Sequence, residues 1–112
     1  MPRYLVAIHR PDDYDGAVEG HAMARDIDAL NEEMIAAGVR LFVCGLQPPQ
    51  KAVSLRRQPY GEVLISNGPY LPGGEHVGGF WILETATIDE ATEWGRKAAI
   101  ACRASVDVRP LH

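Results

Sequence analysis

The sequence predicts an α+β fold, in the order strand, helix, strand, hairpin, strand, helix, strand. Three observations carry this. Several runs are dense in β-branched and aromatic residues, two longer segments repeat apolar residues every three or four positions, and proline or glycine stands between them. No linker, repeat or low-complexity tract divides the 112 residues, so residues 1–112 are read as one domain.

Residues 4–8, Tyr-Leu-Val-Ala-Ile, are almost wholly apolar and read as a buried first strand. His9 to Gly16 follows as a polar loop. A helix is expected over about 20–37, because Met23, Ile27, Leu30 and Met34 fall on one helical face. Gly38 is placed to end it, since glycine accepts a left-handed conformation without steric cost. Val39 to Cys44 is the next strand, broken by Gln47-Pro48-Pro49-Gln50 because proline has no N–H for a ladder. Val53 and Leu55 alternate with polar neighbours, Gln58 to Gly61 turns the chain, and Glu62 to Ser66 returns it as a hairpin.

Asn67 to Gly74 is the densest stretch of turn residues and is expected to be a long surface loop. Val77 to Glu84 is a strand whose Gly78-Gly79 pair predicts a bulge or a close backbone approach. Thr87-Ile88-Asp89-Glu90 has the form of a capping box and opens a second helix running to about residue 100. Ala104 to Leu111 alternates as a last strand. Two helices separated by strand pairs make a split βαβ, ferredoxin-like sheet with the hairpin inserted and both helices on one face.

That architecture raises a burial problem. Residues 4–8, 41–44 and 80–83 are apolar at both alternating positions, yet two helices cover one face only. An apolar patch of several hundred Å², at ~25 cal/mol per Å², favours association by several kcal/mol. The second face is therefore expected to pack on a copy of itself in a two-fold homodimer.

Composition narrows the function classes. Hydrophobic residues make up 46 % and charged residues 23 %, an ordinary globular balance. Eleven Lys and Arg against fifteen Asp and Glu leave a charge of −4, which argues against a nucleic-acid coat. No apolar run approaches the ~18 residues that span a bilayer, and the start does not read as a signal peptide, so a cytoplasmic protein without a membrane partner is expected. Cys44 and Cys102 form no CxxC and read as small buried hydrophobes. No spacing of His, Cys or carboxylates matches a metal site, and no Gly-rich phosphate motif is present, so neither metal nor cofactor is expected.

From Leu30 onward the chain resembles the YCII-related proteins, in particular their DGPF-domain branch. Ala36-Ala37-Gly38-Val39, Gly45-Leu46-Gln47-Pro48, Asn67-Gly68-Pro69-Tyr70, Glu75-His76-Val77-Gly78-Gly79-Phe80, Ile88 to Trp94 and Val106 to Pro110 carry the resemblance. Together these segments span about three quarters of the chain in order. The resemblance implies a dimeric α+β barrel. It also implies two unlike roles, since related barrels include small enzymes while some DGPF-type proteins are associated with extracytoplasmic-function sigma factors. This chain departs from the pattern where Asn67 replaces the usual Asp, Tyr70 the usual Phe, and Pro72 and Gly74 the usual charged residues. An amide at Asn67 cannot serve as a general base. The broader group's His–Asp pair places its His in the first helix, at a position that falls near Asp28 here, and it is not carried over.

The candidate residues follow from position and chemistry. His76, with Glu75 orienting it, stands at a loop-to-strand junction beside two glycines, where an imidazole can act as acid or base; the plainer reading is a solvated loop pair. Asn67 and Tyr70 would hold a ligand at the rim, or else shape a turn. Gln47, ahead of the rigid Pro48-Pro49, would aim its amide into a cleft, or else end an edge strand. Two functions stay open: a small-molecule binding protein or small enzyme with its cleft beside the 67–76 loop, and a non-catalytic regulatory module with a protein partner.

Overall fold

A computed structural model describes residues 1–18 and 20–112. The α+β fold is as the sequence predicts. Strands β1 (Arg3–Pro11), β2 (Arg40–Gly45), β3 (Val53–Arg57), β4 (Val63–Asn67), β5 (Glu75–Glu84) and β6 (Ser105–Pro110) accompany helices α1 (Gly20–Ala36) and α2 (Ile88–Cys102). Four strands form an antiparallel sheet in the order β2-β5-β1-β6, a ferredoxin-like arrangement, and β3-β4 is a separate two-stranded hairpin.

The helices end where local chemistry ends them. Gly38 follows α1 with φ of +71°, which spares the side-chain clash that conformation imposes on other residues. Thr87 caps α2 by accepting from the Glu90 N–H, and Glu90 reaches back to the N–H of Ala86 rather than of Thr87. Both helices lie on one face of the sheet. Val6 and Ile8 of β1, Trp81 and Leu83 of β5, Leu30 and Met34 of α1, and Ala98, Ala101 and Cys102 of α2 form the core. Asn31 ties α1 to the sheet: its side-chain oxygen accepts from the buried Trp81 indole N–H at 2.9 Å and from Arg40 at 3.1 Å.

The opposite face is divided, which modifies the expectation of a uniformly apolar surface. Cross-strand pairing sets Leu5, Ala7, Phe42, Phe80 and Ile82 together there, with the Phe42 and Phe80 ring centroids 5.9 Å apart. Phe42 is 51 % exposed. The β6 side is polar, with His9 meeting Asp107 at 2.8 Å and Arg109 opposite Leu5, and one end of the β1–β5 pair carries the Arg3–Glu84 contact at 3.2 Å. The hairpin has no cover either, and Val53, Leu55, Val63 and Ile65 are exposed on it.

Two boundaries differ from the sequence reading, for one reason. β1 runs through Pro11 instead of ending at residue 8, and β5 begins at Glu75 instead of Val77. The two extensions pair with each other, His9 with Val77, Arg10 with His76 and Pro11 with Glu75, so polar residues that read as loop gain ladder partners.

Candidate functional site

The site lies on that paired extension, and a single extra residue aims it. Ile8 pairs with Gly79 and His9 with Val77, so Gly78 is bulged out of register. Side chains alternate along a strand, and one added residue inverts the alternation beyond it. Counting back from Trp81 without the bulge, Val77 and Glu75 would share the helix-side face. With it, His76 takes that face opposite Arg10, and Glu75 turns away. Gly78 must lack a side chain, because a Cβ there would stand 2.7 Å from Arg10 Cγ. A Cβ on Gly79 would stand 3.0 Å from the Cys44 carbonyl oxygen. The Gly78-Gly79 pair thus makes both the bulge and the close approach that the sequence predicts.

His76 is held at both ring nitrogens. Nδ1 forms a short contact with the Asp12 carboxylate, and Nε2 lies 3.1 Å from the Leu71 carbonyl. Both partners are acceptors, so the arrangement is satisfied in full when both nitrogens carry protons. The Leu71 carbonyl, and then the Asp12 carboxylate, hold the imidazole pKa above its usual 6.5. Asp12, not Glu75, is therefore the orienting carboxylate. Glu75 is exposed on the other side of the strand.

Arg10 crosses beneath. Its guanidinium donates at 2.6 Å to the carbonyl of Cys102, the last residue of α2, where helix carbonyls favour a cation. Its Cζ also lies 4.2 Å from the centroid of the Tyr14 ring, and the Tyr14 hydroxyl contacts Met23 Sδ at 3.6 Å. Arg10, Asp12, Tyr14 and His76, with Leu46, Gln47 and Pro48 across from them, line a cavity of about 240 Å³. A second cavity of about 490 Å³ continues from it toward the hairpin.

Of the five residues singled out in the sequence, His76, Gln47 and Tyr70 come together around these cavities. Asn67 ends β4 as an exposed residue and lines neither. Tyr70 is fixed by Arg56, whose guanidinium lies 4.4 Å from the ring centroid and donates to the Tyr70 carbonyl at 3.3 Å. The 67–74 segment is a loop, as expected, but an anchored one: Gly68 N–H donates to the Ala52 carbonyl at 2.7 Å, and the Asp12 N–H donates to the Gly74 carbonyl at 2.9 Å. Arg10, Asp12 and Tyr14 were missed. The signal for them was the polar run His9 to Gly16 directly after a buried strand, the place where a rigid scaffold presents chemistry.

Cys102 is buried, and burial raises its thiol pKa, so it stays protonated as a core residue; Cys44 is half-buried. Among the described residues, no three His, Cys, Asp or Glu side chains gather as a metal site, and no helix is long and apolar enough to cross a membrane.

No protein-family model matches the chain. It is 32 % identical over 95 residues, 83 % of this chain and 76 % of the relative, to the uncharacterized protein R00369 of Rhizobium meliloti (strain 1021). The chain belongs to the family of that rhizobial protein.

Proposed function

We propose that this protein binds a small anionic molecule in the Arg10–Asp12–His76 cavity and uses His76 as a general acid. The observation that carries the reading is the charge of the wall in a chain of the opposite sign. The chain carries −4, yet this wall sets Arg10 and His76, whose partners favour its protonated form, against one carboxylate, Asp12. An anion there balances the surplus charge that the wall carries when His76 is protonated. The Asp12 carboxylate steadies the imidazolium, as an orienting carboxylate does for a catalytic histidine. The proton available for transfer sits on Nε2. A ligand oxygen that displaces the Leu71 carbonyl takes its place on that nitrogen. The resemblance to the YCII-related proteins does not supply this pair: their histidine stands in the first helix, whereas here His76 lies on β5 and Asp12 follows β1.

The homodimer belongs to the same reading. The apolar half of the open sheet face gives a second copy a surface to cover, and the exposed hairpin residues extend it. A cytoplasmic, non-membrane protein fits the composition.

The test is a thermal-shift and NMR titration with mono- and dicarboxylates and inorganic phosphate, repeated on Arg10→Met and His76→Ala. Stabilisation by an anion that disappears in both variants supports the site, and a ligand at a hundred times its Kd adds about 2.7 kcal/mol. A wild-type protein indifferent to every anion in the series overturns it.

A second reading rests on a separate observation. Leu55 and Ile65 are 60 % and 70 % exposed at the centre of the hairpin. Such a strip suits a protein partner, as in the regulatory module that the resemblance allows, with an extracytoplasmic-function sigma factor as the partner it names. Pull-down with wild type against Leu55→Asp/Ile65→Asp separates this reading from anion binding, which those changes leave intact.

A further inference from the structure

The cavity at His76 does not end there. The second space, about 490 Å³, lies between Pro48-Pro49, the base of the hairpin and Pro69-Tyr70, and shares His76, Gln47 and Val77 with the first. The two differ in chemistry. The inner one holds Arg10, Asp12 and His76. The outer one shares Pro48 and Pro49 with it and adds Val53, Pro69 and Tyr70, and its buried hydroxyl, Ser54, is already spent on the Gly68 carbonyl at 2.5 Å. Lys51, on the outer rim, carries positive charge along the approach to the inner chamber.

Size points the same way. Small-molecule sites occupy about 300–1,000 Å³, which the inner chamber at about 240 Å³ does not reach and the adjoining outer space at about 490 Å³ does. The outer walls are also stiff and flat. Proline rings have fixed backbone angles, and the Tyr70 ring is held by Arg56 from one side and by its own anchored carbonyl. A flat apolar group fits such walls at little cost in side-chain ordering.

Resting on the anion reading above, we infer that the ligand is amphiphilic: a compact anionic head in the inner chamber joined to a planar or aromatic tail along the outer groove. His76 borders both spaces, so its Nε2 proton meets the ligand near the join between head and tail.

The probes are propionate (head alone), 3-phenylpropionate (head and tail) and 3-phenylpropanol (tail without charge), each titrated into the full chain while the His76 ring signals are followed by NMR. The inference expects 3-phenylpropionate to bind at least tenfold tighter than propionate, and 3-phenylpropanol to bind at least tenfold more weakly than 3-phenylpropionate. Val53→Asp and Tyr70→Ala, checked for unchanged melting, should bring 3-phenylpropionate down to the level of propionate without altering propionate. If propionate and 3-phenylpropionate bind equally to wild type, the tail groove is overturned and the anion site stands. If neither acid binds, the inference is overturned, and the anion reading falls with it only when the dicarboxylates and inorganic phosphate fail to bind as well. If 3-phenylpropanol equals the acid, the charged head is overturned. The wild-type comparison decides these outcomes even where a variant fails to fold.

Discussion

His76 and Asp12 are 64 residues apart in the chain, yet the Nδ1 of one meets the carboxylate of the other because β1 and β5 continue as a paired ribbon beyond the core. The Leu71 carbonyl closes the other ring nitrogen, so the imidazole sits between two acceptors.

This pairing makes stability depend on pH with a definite sign. Folding raises the His76 pKa above 6.5, so the native state holds the proton more tightly than the unfolded chain does. The stabilisation is full below about pH 6.5 and is lost as pH rises through the native value. An NMR titration should give a His76 midpoint above 6.5, and Asp12→Asn should lower it. The melting temperature of wild type should fall relative to Asp12→Asn as the pH is raised through that midpoint. An unshifted midpoint, the same in both proteins, contradicts the contact.

Asn31→Leu should destabilise the fold by about 1–3 kcal/mol, since it leaves the buried Trp81 indole N–H without its acceptor. Denaturant unfolding measures this. Trp81→Phe in the Asn31→Leu background should restore part of the loss, because it removes the orphaned donor.

Gly78→Ala should cost about 1–3 kcal/mol by overpacking, because the new methyl collides with Arg10 Cγ at 2.7 Å. It should also weaken anion binding, since Arg10 is the side chain that must yield. Arg10→Ala in the same background should recover stability without recovering binding, which separates the steric effect from the charge.

Light scattering at micromolar concentration should give a species of about twice the 12.3 kDa chain mass, and Phe42→Asp should return it to one. Phe42 is the most exposed aromatic on the open sheet face, so a charge there opposes burial while leaving the helix-side core alone. A wild-type protein that runs as a single chain removes the dimer.

Most of the fold was legible because each element carries its own local chemistry. The Met23–Ile27–Leu30–Met34 stripe, Gly38 and the Thr87 cap speak for themselves, and so does the hairpin between Val53 and Ser66. The site was half legible. His76 and Gln47 stood out, as a histidine beside two glycines and an amide before two prolines. Asp12 did not, because its role depends on a strand pairing between residues that look like loop, and pairing is a property of two distant segments. Glu75 was the natural partner by adjacency, but neighbours in a strand point to opposite faces. The pair Gly78-Gly79 announced an irregularity without saying which side chains it would re-aim. The divided open face was half legible as well: Phe42 and Ile82 read as apolar, whereas the charges of β6 face them only once the sheet order is known.

The displaced glycine splits one strand into two independent territories. Up to Gly79 the residues answer to folding, and each is constrained by what it packs against. From Val77 outward they answer to a different parity and touch little of the interior, so new chemistry there trades away the stability of the His76 contacts and leaves the helix-side core as it is. Homologues sharing this kink should be able to diverge sharply in what they recognise while remaining nearly superimposable.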